Sequence, residues 1–206
     1  MDNSLRIAAW KTFAYWSVWV GIAFFAVYPT CNWLGAQRSV THALYFEAEL
    51  ALPFVPVFFW GYVSMYVLFF TPPFFLSSAQ LTRLGKTVIS ATLLSGLIYI
   101  LIPTQLGYAR IVPADPFYAG LYAGMFDLDL PHNMVPSLHV VYSTIIILAI
   151  LENMHTWYGK AFFWGWLILL CLSTLLVHQH HLLDVASGIL VAVLIRKYYG
   201  IGESHV

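Results

Sequence analysis

Six stretches of sixteen to eighteen residues in this 206-residue chain run almost without charge: 12–29, 54–71, 87–104, 136–153, 161–178 and 181–196. Each approaches the roughly 20 apolar residues that carry a helix across the hydrocarbon of a bilayer. A backbone in lipid must satisfy its own hydrogen bonds, so runs of this kind fold as helices. The expectation is an all-α integral membrane bundle of six transmembrane helices, a single domain over 1–206. Charged residues make up 9% of the chain and apolar ones 61%, against roughly 25% and 45–50% in soluble domains. Nine Lys/Arg and nine Asp/Glu cannot cover the surface of a soluble protein of this size. Their zero net charge excludes a basic nucleic-acid binder, and the hydrophobicity excludes disorder. Cys31 and Cys171 show no C-x-x-C spacing, which points neither to a disulfide framework nor to a zinc knuckle.

The apolar run behind MDNSLRIAAWK is too long for a signal-peptide core and lacks an A-x-A exit, so it reads as an uncleaved first span. Cation placement then orients the bundle. Arg6, Lys11, Arg83, Lys86, Lys160, Arg196 and Lys197 fall on one side, and only Arg38 and Arg110 on the other. This puts both termini in the cytoplasm and leaves the 30–53 segment, the 105–133 loop and the 178–181 turn outside, in a periplasm or lumen. Residues 40–52 are weakly amphipathic and predict an interfacial helix, with Glu47 and Glu49 on its wet face. The longest polar loop is 105–133, with Asp115, Asp127 and Asp129 solvated.

Ionisable residues in or beside a membrane span are functional candidates by default. Two clusters meet this description, and the topology brings both to the outer face: Pro131–His139, entering span four, and Ser173–Asp184, between spans five and six. His180 and Asp184 are four residues apart and share a helix face. A carboxylate there fixes the imidazole tautomer and keeps the other ring nitrogen nucleophilic. The N-terminus of span six offers N–H groups to an anion. Gly188 removes a side chain from the same face and permits close helix packing. His139 can supply a proton from the opposite side. Together these are the parts of covalent phosphoryl transfer.

Ser173, His180 and Asp184 match S-x6-H-x3-D, and Pro136-Ser137-Leu138-His139 matches P-S-x-H. In these two motifs, in this order, the chain resembles the type 2 phosphatidic acid phosphatase (PAP2) superfamily over about residues 85–196. The resemblance implies a phosphohistidine on His180, oriented by Asp184, with His139 protonating the leaving group and Ser137 bonding a phosphoryl oxygen. It implies a metal-independent reaction with no cofactor, on a phosphorylated lipid taken from the bilayer. The family's first signature, K-x6-R-P, is absent, and Arg110 is the nearest substitute as phosphate clamp, with His132 and Asn133 beside the pocket. Thr174 and Leu138 stand where the family more often has Arg and Gly. The chain is therefore more similar to the inositol-phosphorylceramide-synthase-like branch. Few cations suit a phosphodiester better than a monoester or diphosphate, which carries more negative charge.

Other readings of the same residues stand beside this one. His178, His180 and His181 could hold a metal, His180 and Asp184 could be a structural pair, and Ser173 could serve helix packing. Arg110 could be a snorkelling anchor. The whole chain could be a non-enzymatic transporter, channel or lipid-binding scaffold, although its polar residues gather at one end while a conduction path needs them at several depths.

Overall fold

A computed structural model of the chain describes residues 3–128 and 131–199; Asp129 and the extreme termini lie outside the described residues. Among the described residues the structure is helical and has no β-strand. In order it comprises α1 (Asn3–Ala36), α2 (Phe59–Leu68), α3 (Pro72–Phe75), α4 (Ser78–Leu101), α5 (Pro116–Leu128), α6 (Leu138–Glu152), α7 (Trp157–Leu176) and α8 (Leu182–Tyr198). Three of these, α1, α4 and α7, are long and apolar enough to cross a membrane. The stretch Pro56–Leu68, a 3₁₀ turn running into α2, and α6 are shorter apolar helices.

Each apolar run falls on a helix, and the differences lie at the ends. α4 begins at Ser78, nine residues before the apolar run, because Ser77 and Gln80 form a capping box: the Gln80 N–H donates to Ser77 Oγ at 3.4 Å, and the Ser77 N–H to Gln80 Oε1 at 2.9 Å. Two connectors depart from the sequence reading. No interfacial helix forms over 40–52, where only a 3₁₀ turn at Glu47–Ala51 appears. The 105–133 loop is not simply polar, because it contains the apolar helix α5. Asp115 caps this helix by accepting from the N–H groups of Phe117 and Tyr118.

α6 is apolar all round, LHVVYSTIIILAILE, and a helix of that pattern is stable only when surrounded. Val141, Ile145, Ile147 and Ile150 are fully buried, with α4, α7 and α8 packed about them. Small residues let the helices approach. A Cβ on Gly61 of α2 would collide with Ser173 of α7, and one on Gly188 of α8 would press against the Ser137 carbonyl and Val140 of α6. α1 is the exception. It packs along α4 and touches α3 near its start, and only 6% of its most apolar stretch is buried. At the end of the bundle away from His180, Arg196 in the last turn of α8 pairs with Glu152, and Gln80 donates to Asn153 at 2.9 Å.

Candidate active site

The Pro136-Ser137 corner sets the first part of the site. Ser137 caps α6 by accepting from the Val140 N–H at 3.4 Å, while its own N–H donates to the Asp184 carbonyl at 3.1 Å. The start of α6 is thereby tied to the first turn of α8, at the level where Gly188 allows close contact. His139 in that first turn comes beside His180: the ring centroids are 5.7 Å apart with the planes at 60°. His180 Nδ1 lies 3.2 Å from Asp184 Oδ2, and both residues are buried. The same oxygen accepts the His181 N–H at 2.8 Å, which fixes the carboxylate. Facing a carboxylate, Nδ1 carries the proton and Nε2 keeps the lone pair. Tyr62 of α2 holds His139 from the far side. Its ring lies 4.4 Å from the imidazole, and its hydroxyl is 3.4 Å from Nδ1.

The neighbouring His181 has a different setting. Its Nε2 accepts the Gly107 N–H at 3.0 Å, so the proton resides on Nδ1, 3.5 Å from Glu49 Oε2. Tyr45 and Tyr108 stack on its two faces at 4.5 Å each, and Tyr108 also stacks on His178 at 4.0 Å. His178 meets the Leu52 carbonyl at 3.0 Å through Nε2. Burial pushes both imidazoles below the ordinary histidine range, more than their favourable partners raise them. Burial next to Glu49 and Asp184 also raises the Tyr108 phenol to about 12. These histidines clamp loops to the bundle end, and among the described residues no three His, Cys, Asp or Glu side chains converge as a metal requires.

Glu49 is the residue that the sequence reading misplaced. It is not on a wet interfacial face but 4% exposed, accepting from the Leu182 N–H at 2.6 Å and the Phe46 N–H at 3.0 Å. The N-terminus of α8, expected to offer N–H groups to an anion, already serves two carboxylates: Asp184 takes His181 N–H and Glu49 takes Leu182 N–H. Nothing local separates Glu49 from Glu47 in the sequence, because its partner lies 133 residues away.

The expected phosphate contacts divide. Ser137 sits within the site, with its hydroxyl acting as the α6 cap. Arg110 donates to the Phe126 carbonyl at 2.7 Å and lies over the Phe126 ring at 5.0 Å, so α5 holds it. His132 is near enough to feel Arg110, and burial first, then that charge, lowers its pKa. Its backbone is held by Thr104, and its Cβ lies against Gly35 at the end of α1. Asn133 is buried and donates to the Tyr28 carbonyl at 2.9 Å, fastening the loop to α1. Arg110 and His132 thus lie near one another, set by α5 and α1, and Asn133 is an anchor. Ser173 donates to the Leu169 carbonyl at 2.6 Å and packs at Gly61.

Beyond His139 a cavity of about 950 Å³ runs between α1 and α2, backed by α4 and α6 and roofed by Leu121, Gly124 and Met125 of α5. No protein-family model, curated protein or solved structure matches the chain.

Proposed function

We propose that this chain is an integral membrane phosphatase or phosphotransferase that acts on a phosphorylated lipid through a phosphohistidine, with a PAP2-like arrangement of six spans. The observation that carries the reading is the buried His180–Asp184 pair facing His139 at the head of an apolar cavity. His180 Nε2 attacks phosphorus as the bond from phosphorus to the lipid oxygen breaks, and the leaving oxygen takes a proton from His139. Asp184 steadies the positive imidazole ring while the P–N bond exists. Neutral His139 then removes a proton from water or an acceptor alcohol, whose oxygen attacks phosphorus. The P–N bond breaks and His180 is restored.

Cation placement supports termini on the cytoplasmic side and a site facing the periplasm or a lumen. The charge about His180 bears on the substrate. Asp184 and Glu49 place two carboxylates at the α8 N-terminus, while Arg110 is held by α5. Such surroundings favour a phosphodiester, with one negative charge, over a monoester. Among the described residues the cavity lining below His139 contains no Lys, Arg, Asp or Glu, which does not favour a conduction path.

A screen of phosphorylated lipids with full-length protein, read by mass spectrometry, separates hydrolysis from transfer. His180→Ala is expected to abolish turnover and any trapped phosphoenzyme, and full activity in that variant overturns the reading. His139→Ala is expected to slow turnover by about 10²–10⁴-fold while lipid binding remains. Fast release of phosphate from monoesters with no reaction of diesters refutes the charge argument alone.

A further inference from the structure

Among the described residues, the cavity between α1 and α2 has its one histidine at one end and no acid, Lys or Arg. Phe13, Ser17, Gly21, Phe24 and Tyr28 contribute one stripe of α1 at helical spacing, and the facing wall comes from α2. The lining includes His139 and, among the described residues, no other histidine and no Lys, Arg, Asp or Glu. Its occupant must therefore be uncharged and largely apolar over its length, with its charged group where it meets His139. From Phe13 to Pro29 the stripe covers about 24 Å of helix, longer than the roughly 15 Å of one leaflet's hydrocarbon. The volume lies at the upper end of the roughly 300–1,000 Å³ of small-molecule sites. The gap also opens sideways, because Phe25, Tyr66 and Phe70 on its rim are exposed. Two lining glycines keep it wide: a Cβ on Gly21 or Gly124 would meet no atom within 4 Å. Glycine inside a helix is less stable than Ala, and here no close packing requires it.

The geometry points to this cavity as the berth of a lipid chain that reaches past the bilayer midplane, with its phosphorylated end at His139. The inference rests on His139 and His180 as the phosphoryl-transfer site and adds the substrate's chain length to it. Gly21 lies about 12 Å below Pro29 along α1, so a side chain at Gly21 shortens the berth without touching the chemistry.

The test uses full-length protein in phosphatidylcholine vesicles. One arm compares turnover of substrates with a single head group and short or long chains. In Gly21→Leu, kcat/KM for the long chain is expected to fall about tenfold and that for the short chain to hold. Gly165→Leu on α7, another glycine with nothing within 4 Å, controls for bulk and is expected to change neither. The other arm uses non-turning-over His180→Asn protein and a long-chain phosphodiester lipid with a diazirine at the chain end. Labelling is expected around Phe13–Ser17 and Leu81–Gly85 and is expected to be lost in the Gly21→Leu background. Labelling spread equally over Trp19 and Ile22 on the outward face of α1, as for bilayer lipid in passing contact, overturns the berth. So does an unchanged chain-length preference in Gly21→Leu. Deep labelling in a protein that transfers no phosphoryl group sustains the berth and refutes the chemistry, whereas turnover with scattered labelling does the reverse.

Discussion

Two glycines divide the bundle. At Gly188 the backbone of α8 lies so close to α6 that an added Cβ would stand 3.0 Å from both the Ser137 carbonyl oxygen and the Val140 Cβ. At Gly21 an added Cβ would meet nothing within 4 Å. The first contact closes a crossing in which Ser137, Asp184, His139 and His180 are held by backbone hydrogen bonds and caps. The second belongs to a helix that stands clear of α2 and leaves an apolar slot. Phosphoryl transfer requires groups fixed to a fraction of an ångström, while a hydrocarbon chain requires only space and the absence of charge. On the proposed function, the same residue type serves both needs.

The largest effect should come from forcing the closed crossing. In Gly188→Val the added methyls meet a carbonyl oxygen that cannot give way. We expect a loss of about 1–3 kcal/mol in stability and about 10²-fold in kcat from displaced histidines. Thermal unfolding in detergent and turnover measure the two, and unchanged activity would break the contrast with Gly21. A smaller effect is expected from Tyr62→Phe, which keeps the ring against His139 and removes the hydroxyl at Nδ1. A hydrogen bond of about 1 kcal/mol corresponds to roughly fivefold in kcat, with KM unchanged. A purely structural Tyr62 would instead lower the unfolding temperature and leave kcat in place.

The smallest effect concerns the clamp beside the site. The native pKa values of His178 and His181 lie below the ordinary 6.5. Between the lowered values and 6.5 the unfolded chain binds more protons than the native one, so their contribution to stability is complete above 6.5 and is lost as pH falls. The unfolding temperature is expected to drop on acidification from about pH 7.5 to about pH 5.5. His178→Asn should reduce that drop, because Asn does not titrate and tolerates the positive φ of 57° at this position. An identical pH slope in the variant would detach His178 from the effect.

The helices were legible because apolar length is a coarse signal that packing does not override. α5 was not, since Pro116 and the flanking acids made an apolar helix look like loop. His180 and Asp184 declared themselves by four-residue spacing, a local rule. His139 came through its motif, and its approach to His180 required Ser137 and Gly188 to tie α6 to α8. Glu49 and the chain slot escaped for a common reason: both are made by elements far apart in sequence. Arg110 lies in the expected loop, yet its guanidinium is engaged by Phe126, a partner on a helix the sequence reading did not contain.

The 34 residues of α1 make a rod about 50 Å long, where the hydrocarbon core of a bilayer measures about 30 Å. Such a helix must lean or protrude, and hydrophobic mismatch sets the balance between the two. α1 is braced along α4 and faces α2 across the slot, so its lean bears on the slot's width. On the proposed lipid berth, a thicker membrane would draw the rod upright and a thinner one would let it tip, so that the bilayer's own dimensions would bear on what reaches His139.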